Sequence, residues 1–203
     1  MKISLTDAGK RYNREWIFRH LTHTFHTGNN YAITGSNGSG KSTLLQVISG
    51  ALHISEGKIL INDQPVEHIY NLVGIAAPYL ELIEEMTGKE FLRFHQSFKP
   101  FLESRTPAEI LTIVELKHAA DKQIRYYSSG MKQRLKLGQA ILSNCPFILL
   151  DEPCTNLDTK GIHLYHHLIS TYTKDRCVIV SSNDLTEYEF CTQRIDIQQY
   201  KPA

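Results

Sequence analysis

The sequence predicts an α/β protein, with a mostly parallel, doubly wound core sheet, an N-terminal antiparallel β region and an inserted helical subdomain. Three observations predict it. The apolar runs at residues 31–34, 72–77, 147–150 and 177–180 read as short buried strands. Helical patterns alternate with the later of these runs, which is the arrangement a parallel sheet needs. A glycine-rich segment, Gly35-Ser36-Asn37-Gly38-Ser39-Gly40-Lys41-Ser42-Thr43, links the first run to a helix opening with Leu44-Leu45-Gln46-Val47-Ile48.

Taken in order, residues 2–5, 16–21, 31–34 and 58–61 read as β pieces, the last closed by the turn signal Asn62-Asp63. The strand around Gly74 is closed by Pro78. From about 80 to 128 the pattern is helical. Phe91, Phe94, Phe98 and Phe101 recur at helical spacing and are expected to form the core of a subdomain, the alternative being an open aromatic groove for a partner helix. Thr106-Pro107-Ala108-Glu109 is a helix start with a capping threonine, Pro at the first position and Glu at the third. Ser128 opens another helix, with Leu135, Ala140, Ile141 and Leu142 inside, and a further helix spans roughly residues 158–173. The expected division is a core of residues 1–75 and 135–203, with a helical subdomain at about 76–134.

The 203 residues suffice for one large domain or a domain with a subdomain, and the formal net charge is only +1. Lys132, Arg134 and Lys136 are the nearest thing to a basic cluster; helical spacing spreads them, so they are expected to be solvated and nucleic acid is not an expected partner. Four cysteines, at 145, 154, 177 and 191, form no C-x-x-C and suggest reduced thiols in a cytoplasmic setting. The first residues lack the apolar stretch of a secretory leader, and no apolar run approaches the roughly 20 residues of a membrane helix. Ten histidines raise the question of metal. In a strand, His23 points away from His20 and His26, and His163, His166 and His167 share a helix face with no acidic or thiol ligand, so no histidine site is expected.

The glycine-rich segment fits the phosphate-loop pattern G-x-x-x-x-G-K-[ST]. Such a loop turns its backbone N–H groups inward at a helix N-terminus, where the helix dipole also favours an anion. Lys41 would add charge at the β- and γ-phosphates of a nucleotide, and the Ser42 hydroxyl would ligate Mg²⁺. The run 147–150 ends in Asp151-Glu152-Pro153, which puts an acidic pair at the carboxyl edge of the sheet, beside the loop. There Asp151 would hold Mg²⁺ through water, and Glu152 would orient or deprotonate an attacking water.

Tyr127-Ser128-Ser129-Gly130-Met131-Lys132-Gln133-Arg134-Leu135 lies between the two. In the order phosphate loop, capped Ser-Ser-Gly helix, acidic strand, the sequence resembles the nucleotide-binding subunit of ATP-binding-cassette (ABC) transporters over nearly its whole length. The segment is similar to the family's LSGGQ signature, with Tyr127, Ser129 and Met131 as departures. The resemblance implies an ATPase with ATP and Mg²⁺ as cofactors. It also implies a head-to-tail homodimer, or heterodimer with another cassette, in which Ser128 and Gly130 reach the γ-phosphate on the partner's phosphate loop. Tyr12 stands where the family stacks an aromatic on adenine, with Trp16 a second candidate, and Asn156-Leu157-Asp158 matches the loop that crosses the dimer interface. A separate membrane permease would be the partner, placing the chain at the inner face of a membrane. The compact chain resembles small export-type subunits, including the haem-exporter ATPase. Two departures imply slow hydrolysis: Ala77-Pro78-Tyr79 stands where the family has a glutamine, and Asn183 where it has a switch histidine. The alternative is a cassette ATPase acting on a protein assembly without transport.

Overall fold

The computed structural model describes residues 1–65 and 67–201. In chain order its elements are β1 (Lys2–Tyr12), β2 (Glu15–His26), β3 (Asn30–Thr34), α1 (Lys41–Ile48), β4 (Glu56–Ile61), β5 (Val73–Ala76), α2 (Gly88–Gln96), α3 (Pro107–Ile113), α4 (Ser129–Ile141), β6 (Phe147–Asp151), α5 (Thr159–Tyr172), β7 (Cys177–Ser181), α6 (Leu185–Tyr188) and β8 (Gln193–Asp196). They divide into two compact units. The first holds Met1–Val73, Pro146–Asp151 and the described residues from Asp175 onward; the second holds Gly74–Cys145 and Glu152–Lys174.

In the first unit, β2, β1 and β4 form an antiparallel sheet in that order, with β1 central. Pairs such as Ile3↔Phe25 and Ile3↔Ile61 bury one face. Both long strands run further than the expected residues 2–5 and 16–21. The cause is a pair of bulges. Asp7 and His20 sit at φ 50° and 58°, and the register shifts between Leu5 and Ala8. Each bulge breaks the two-residue alternation on which a strand is recognised in sequence.

The other four strands of this unit belong to a parallel sheet in the order β6-β7-β3-β8. Every residue of β6 and β7 is buried. This is the continuous apolar pattern of strands covered on both faces. Cys177 and Cys191 lie in this interior, where burial pushes their thiols up to about 12.

The second unit is mainly helical. Thr87 and Thr106 each cap a helix, α2 and α3, with the reciprocal Glu90 and Glu109 of a capping box. Gly74 allows β5 to approach α4: a Cβ there would lie 2.3 Å from the Ala140 carbonyl oxygen. The expected phenylalanine stripe is corrected. Phe91 and Phe101 are buried, but α2 ends at Gln96, and Phe94 and Phe98 are exposed, packed edge to face at 5.1 Å. Phe94 lies within α2 but off its buried face of Gly88, Phe91 and Leu92, and Phe98 lies beyond the end of the helix.

The expected solvation of Lys132, Arg134 and Lys136 is also corrected. Lys132 pairs with Glu84. Arg134 pairs with Glu115 at 2.7 Å and Asp158 at 3.3 Å. Lys136 donates to the carbonyls of Ala77 and Pro78 at 3.2 and 3.3 Å. Helical spacing does separate the three, yet each meets a different segment of the same unit.

His95 is a half-buried member of this unit. Its Nε2 lies 2.7 Å from Ser143 Oγ and its Nδ1 3.2 Å from the Gln139 amide, a neutral ring satisfied on both sides. Desolvation, with Lys99 adding to it, lowers its pKa to about 4. An unfolded histidine titrates near 6.5, so the unfolded chain binds the extra proton first. Stability is therefore full above about pH 6.5 and falls as the pH drops toward 4, by an amount on the order of 3 kcal/mol. Urea denaturation across this range should show that slope, and His95→Gln should flatten it.

Candidate active site

Strand register brings the first unit's candidates to one edge. Ile33 and Asp151 both pair with Ser181, and Thr34 pairs with Asp196, so β3, β6, β7 and β8 end side by side. The phosphate loop leaves β3, Asp151 closes β6, and Asn183 follows β7 by two residues. Asp151 and Thr34 are two strand spacings apart, about 10 Å.

Gly40 precedes α1 at φ 105°, and a Cβ there would lie 2.5 Å from Ile17 Cγ2, so the turn into the helix requires glycine. No side chain caps α1, which leaves its N-terminal amides to an anion. Lys41 is buried, with Nζ donating to the carbonyls of Gly35 at 2.8 Å and Ser36 at 3.2 Å. Its charge is thus folded across the loop. Ser39 is buried, Ser42 and Thr43 are half-buried, and Ser36, Asn37 and Gly38 are exposed.

Two contacts on this loop went unnoticed in the sequence. Asn183 donates its amide to Asn37 Oδ1 at 2.8 Å, and Gln198 donates to Ser36 Oγ at 3.3 Å. No sequence signal marks Gln198, which depends on β8 ending beside β3.

Asp151 is 2% exposed, and its Oδ1 has no hydrogen-bond partner. An orphaned buried carboxylate oxygen is costly. At the edge where Ser42 opens α1, it fits a divalent cation bound directly or through water. Tyr12 is exposed at the end of β1, with the Lys10 ammonium 5.2 Å from its ring centre. Trp16 is half-buried, with the guanidinium groups of Arg11 and Arg19 at 5.3 and 4.6 Å, so its faces are already engaged.

In the second unit, Ser128 caps α4, its Oγ accepting from Met131 N at 3.2 Å. Ser128 and Ser129 are exposed and Gly130 is half-buried, so the start of the helix is open to solvent. Gly130 lies close to the loop after the acidic pair: a Cβ there would be 3.1 Å from the Asn156 carbonyl. Glu152 opens that loop, exposed and at φ 45°, a conformation rare for a non-glycine residue. Asp158 closes it. Its Oδ1 accepts from Gly161 N at 2.8 Å, capping α5, and from Arg134. These contacts hold its carboxyl below the usual range.

Gln133 is a further residue to which no sequence signal assigns a role. It is buried, and its Nε2 donates to the Pro153 carbonyl at 2.7 Å. Gln133 and Arg134 therefore hold both ends of the loop from one helix.

Residues 18–155 match the ABC transporter family. The chain belongs to that family. It is the family's ATPase cassette. It is 31% identical, over 97% of its length, to the ABC transporter ATP-binding protein YhcH of Bacillus subtilis, of which it covers 67%. It is 36% identical to the cytochrome c biogenesis ATP-binding export protein CcmA of Xylella fastidiosa, over 69% of this chain and 64% of that one. The cassette thus spans about two thirds of the length of these relatives. An ATP-binding cassette solved as a dimer in a post-hydrolysis state, bound to ADP and Pi, shares the fold with a TM-score of 0.86 at 23% identity, over 96% of this chain and 94% of that one. Among the described residues no helix is long and apolar enough to cross a membrane.

Replacing Gln133 by alanine strands the Pro153 carbonyl without its donor. The expected loss is about 1–3 kcal/mol of stability by urea denaturation.

Proposed function

We propose that this cassette binds ATP with Mg²⁺ between two head-to-tail copies, hydrolyses it slowly, and energises a separate membrane permease. The buried, unpartnered Asp151 oxygen at the edge shared with the phosphate loop carries the reading. It is the donor a nucleotide-bound cation needs, in a chain of this family. Ser42 and Asp151 would hold Mg²⁺, which would neutralise charge on the phosphates.

Tyr12 is the adenine platform in this reading, its ring exposed and already beside a lysine. Lys41 gives up its two neutral carbonyl partners for the β- and γ-phosphates, exchanging neutral acceptors for charged ones. The loop amides from Gly35 to Thr43 take the remaining phosphate oxygens. Glu152, displayed at a strained position, orients and deprotonates the attacking water. Ser128 and Gly130, at the open start of α4, meet the γ-phosphate bound by the partner copy. Asp158 acts by shaping the crossing loop, since its Oδ1 is committed to the α5 cap and to Arg134.

Asn183 is the residual switch. To reach the γ-phosphate its amide leaves Asn37, a neutral hydrogen bond worth about 0.5–1.5 kcal/mol. It brings a neutral donor where a histidine could bring a charged one. Pro78 contributes no side-chain donor in place of the family's glutamine. Both features favour slow turnover. The relatives' names favour transport, and export in the case of the cytochrome c biogenesis protein. The weakened switch positions are what favour the alternative of a cassette acting on a protein assembly.

Calorimetry should find ATP heat in the native chain and none in Lys41→Ala. Glu152→Gln with Mg-ATP should elute as a dimer in gel filtration; a variant that binds ATP yet remains monomeric would overturn the sandwich. In steady-state phosphate release, Asn183→Ala should lower turnover at least tenfold, and unchanged turnover would remove Asn183 from the mechanism.

A further inference from the structure

The bulges of β1 and β2 do more than bend the antiparallel sheet. They turn Asp7 and His20 toward each other, His20 Nδ1 lying 2.7 Å from Asp7 Oδ1. Glu56, on the other neighbour of β1, completes a group in which one ligand atom from each residue lies within 4.8 Å of the other two. Asp7 and His20 are well exposed and Glu56 is half-buried, so solvent reaches the group. Neither Asp7 nor His20 is glycine, yet both hold left-handed backbone. Gly57 permits the crossing at Asp7: a Cβ on it would lie 2.3 Å from the Asp7 carbonyl oxygen.

We propose that Asp7, His20 and Glu56 form a binding site for a divalent transition metal of the zinc or cobalt class, separate from the nucleotide site. The donor set decides the class. One imidazole and two carboxylates suit zinc, cobalt or manganese, whereas Mg²⁺ and Ca²⁺ prefer oxygen alone. Charge agrees, because the two carboxylates of Asp7 and Glu56 face one permanent cation, Arg19.

Arg19 is the competitor. Its Nε and Nη2 lie 2.9 and 3.2 Å from the two oxygens of Glu56, and it stacks on Trp16. Metal binding needs one Glu56 oxygen, so the bidentate pair becomes monodentate and Arg19 keeps its aromatic contact. Metal–ligand bonds of about 2.0–2.2 Å set tetrahedral ligands about 3.3–3.6 Å apart. From 2.7 Å, His20 and Asp7 must therefore open by roughly 0.6–0.9 Å, an adjustment open to exposed side chains. The bound metal would then tie three strands together at their bulges.

The test uses chelator-stripped protein without nucleotide, titrated with Co²⁺ and followed by its visible d–d bands, with Zn²⁺ as competitor. One equivalent should bind at micromolar metal. Asp7→Asn and His20→Asn should each weaken binding at least tenfold; asparagine tolerates left-handed backbone, so both variants should keep the native circular dichroism. A His163→Gln/His167→Gln double variant removes the exposed histidine pair on α5 and should bind as the native chain does. Affinity unchanged in His20→Asn, binding lost in the α5 double variant, or no binding below millimolar metal would each overturn the proposal. The last result would leave the Asp7–His20 hydrogen bond and the Arg19–Glu56 ion pair as contacts that only fasten the bulges.

Discussion

In-register parallel pairing decides where this chain can hold a nucleotide. Because Asp151 and Ile33 share Ser181 as a neighbour, the acidic residue and the loop after β3 emerge at one edge of one sheet. Strands buried on both faces cannot slide by one residue without exchanging every side chain between the two layers that cover them. The apolar runs of β6 and β7 thus fix the position of a carboxylate whose own chemistry they do not share. The cost is a carboxylate oxygen held without a hydrogen-bond partner.

The second unit follows a different logic, in which one helix organises its surroundings. The first turn of α4 offers Ser128 and Gly130, and its next turn supplies Gln133 and Arg134, which grip the loop that begins at Glu152. Buried and semi-buried contacts of this kind confine a segment that would otherwise be free to wander. Gly130 sets the closeness of the approach, since any side chain there would crowd the Asn156 carbonyl.

The sequence displayed the fold class, the phosphate loop, the capped helices and the acidic strand clearly, because each rests on local rules: apolar runs, glycine spacing and Thr-x-x-Glu boxes. What it hid depends on long-range geometry. The bulges at Asp7 and His20 masked half of β1 and β2. Phe94 and Phe98 followed a helical period, but Phe94 lies off the buried face of α2 and Phe98 lies beyond its end at Gln96. Lys132, Arg134 and Lys136 looked solvated because their partners, Glu84, Asp158 and the Pro78 carbonyl, lie 24 to 58 residues away in the chain. Gln198 could not be singled out at all without knowing which strand β8 joins.

The cysteines carry one practical consequence. Cys145, Cys177 and Cys191 are buried, and the thiols of the last two resist ionisation, whereas Cys154 is half-exposed two positions after Glu152. Thiol chemistry on the unmodified chain is therefore steered to one address. A maleimide fluorophore coupled there would sit on the segment gripped by Gln133, an intrinsic attachment point for optical recording of that segment during turnover.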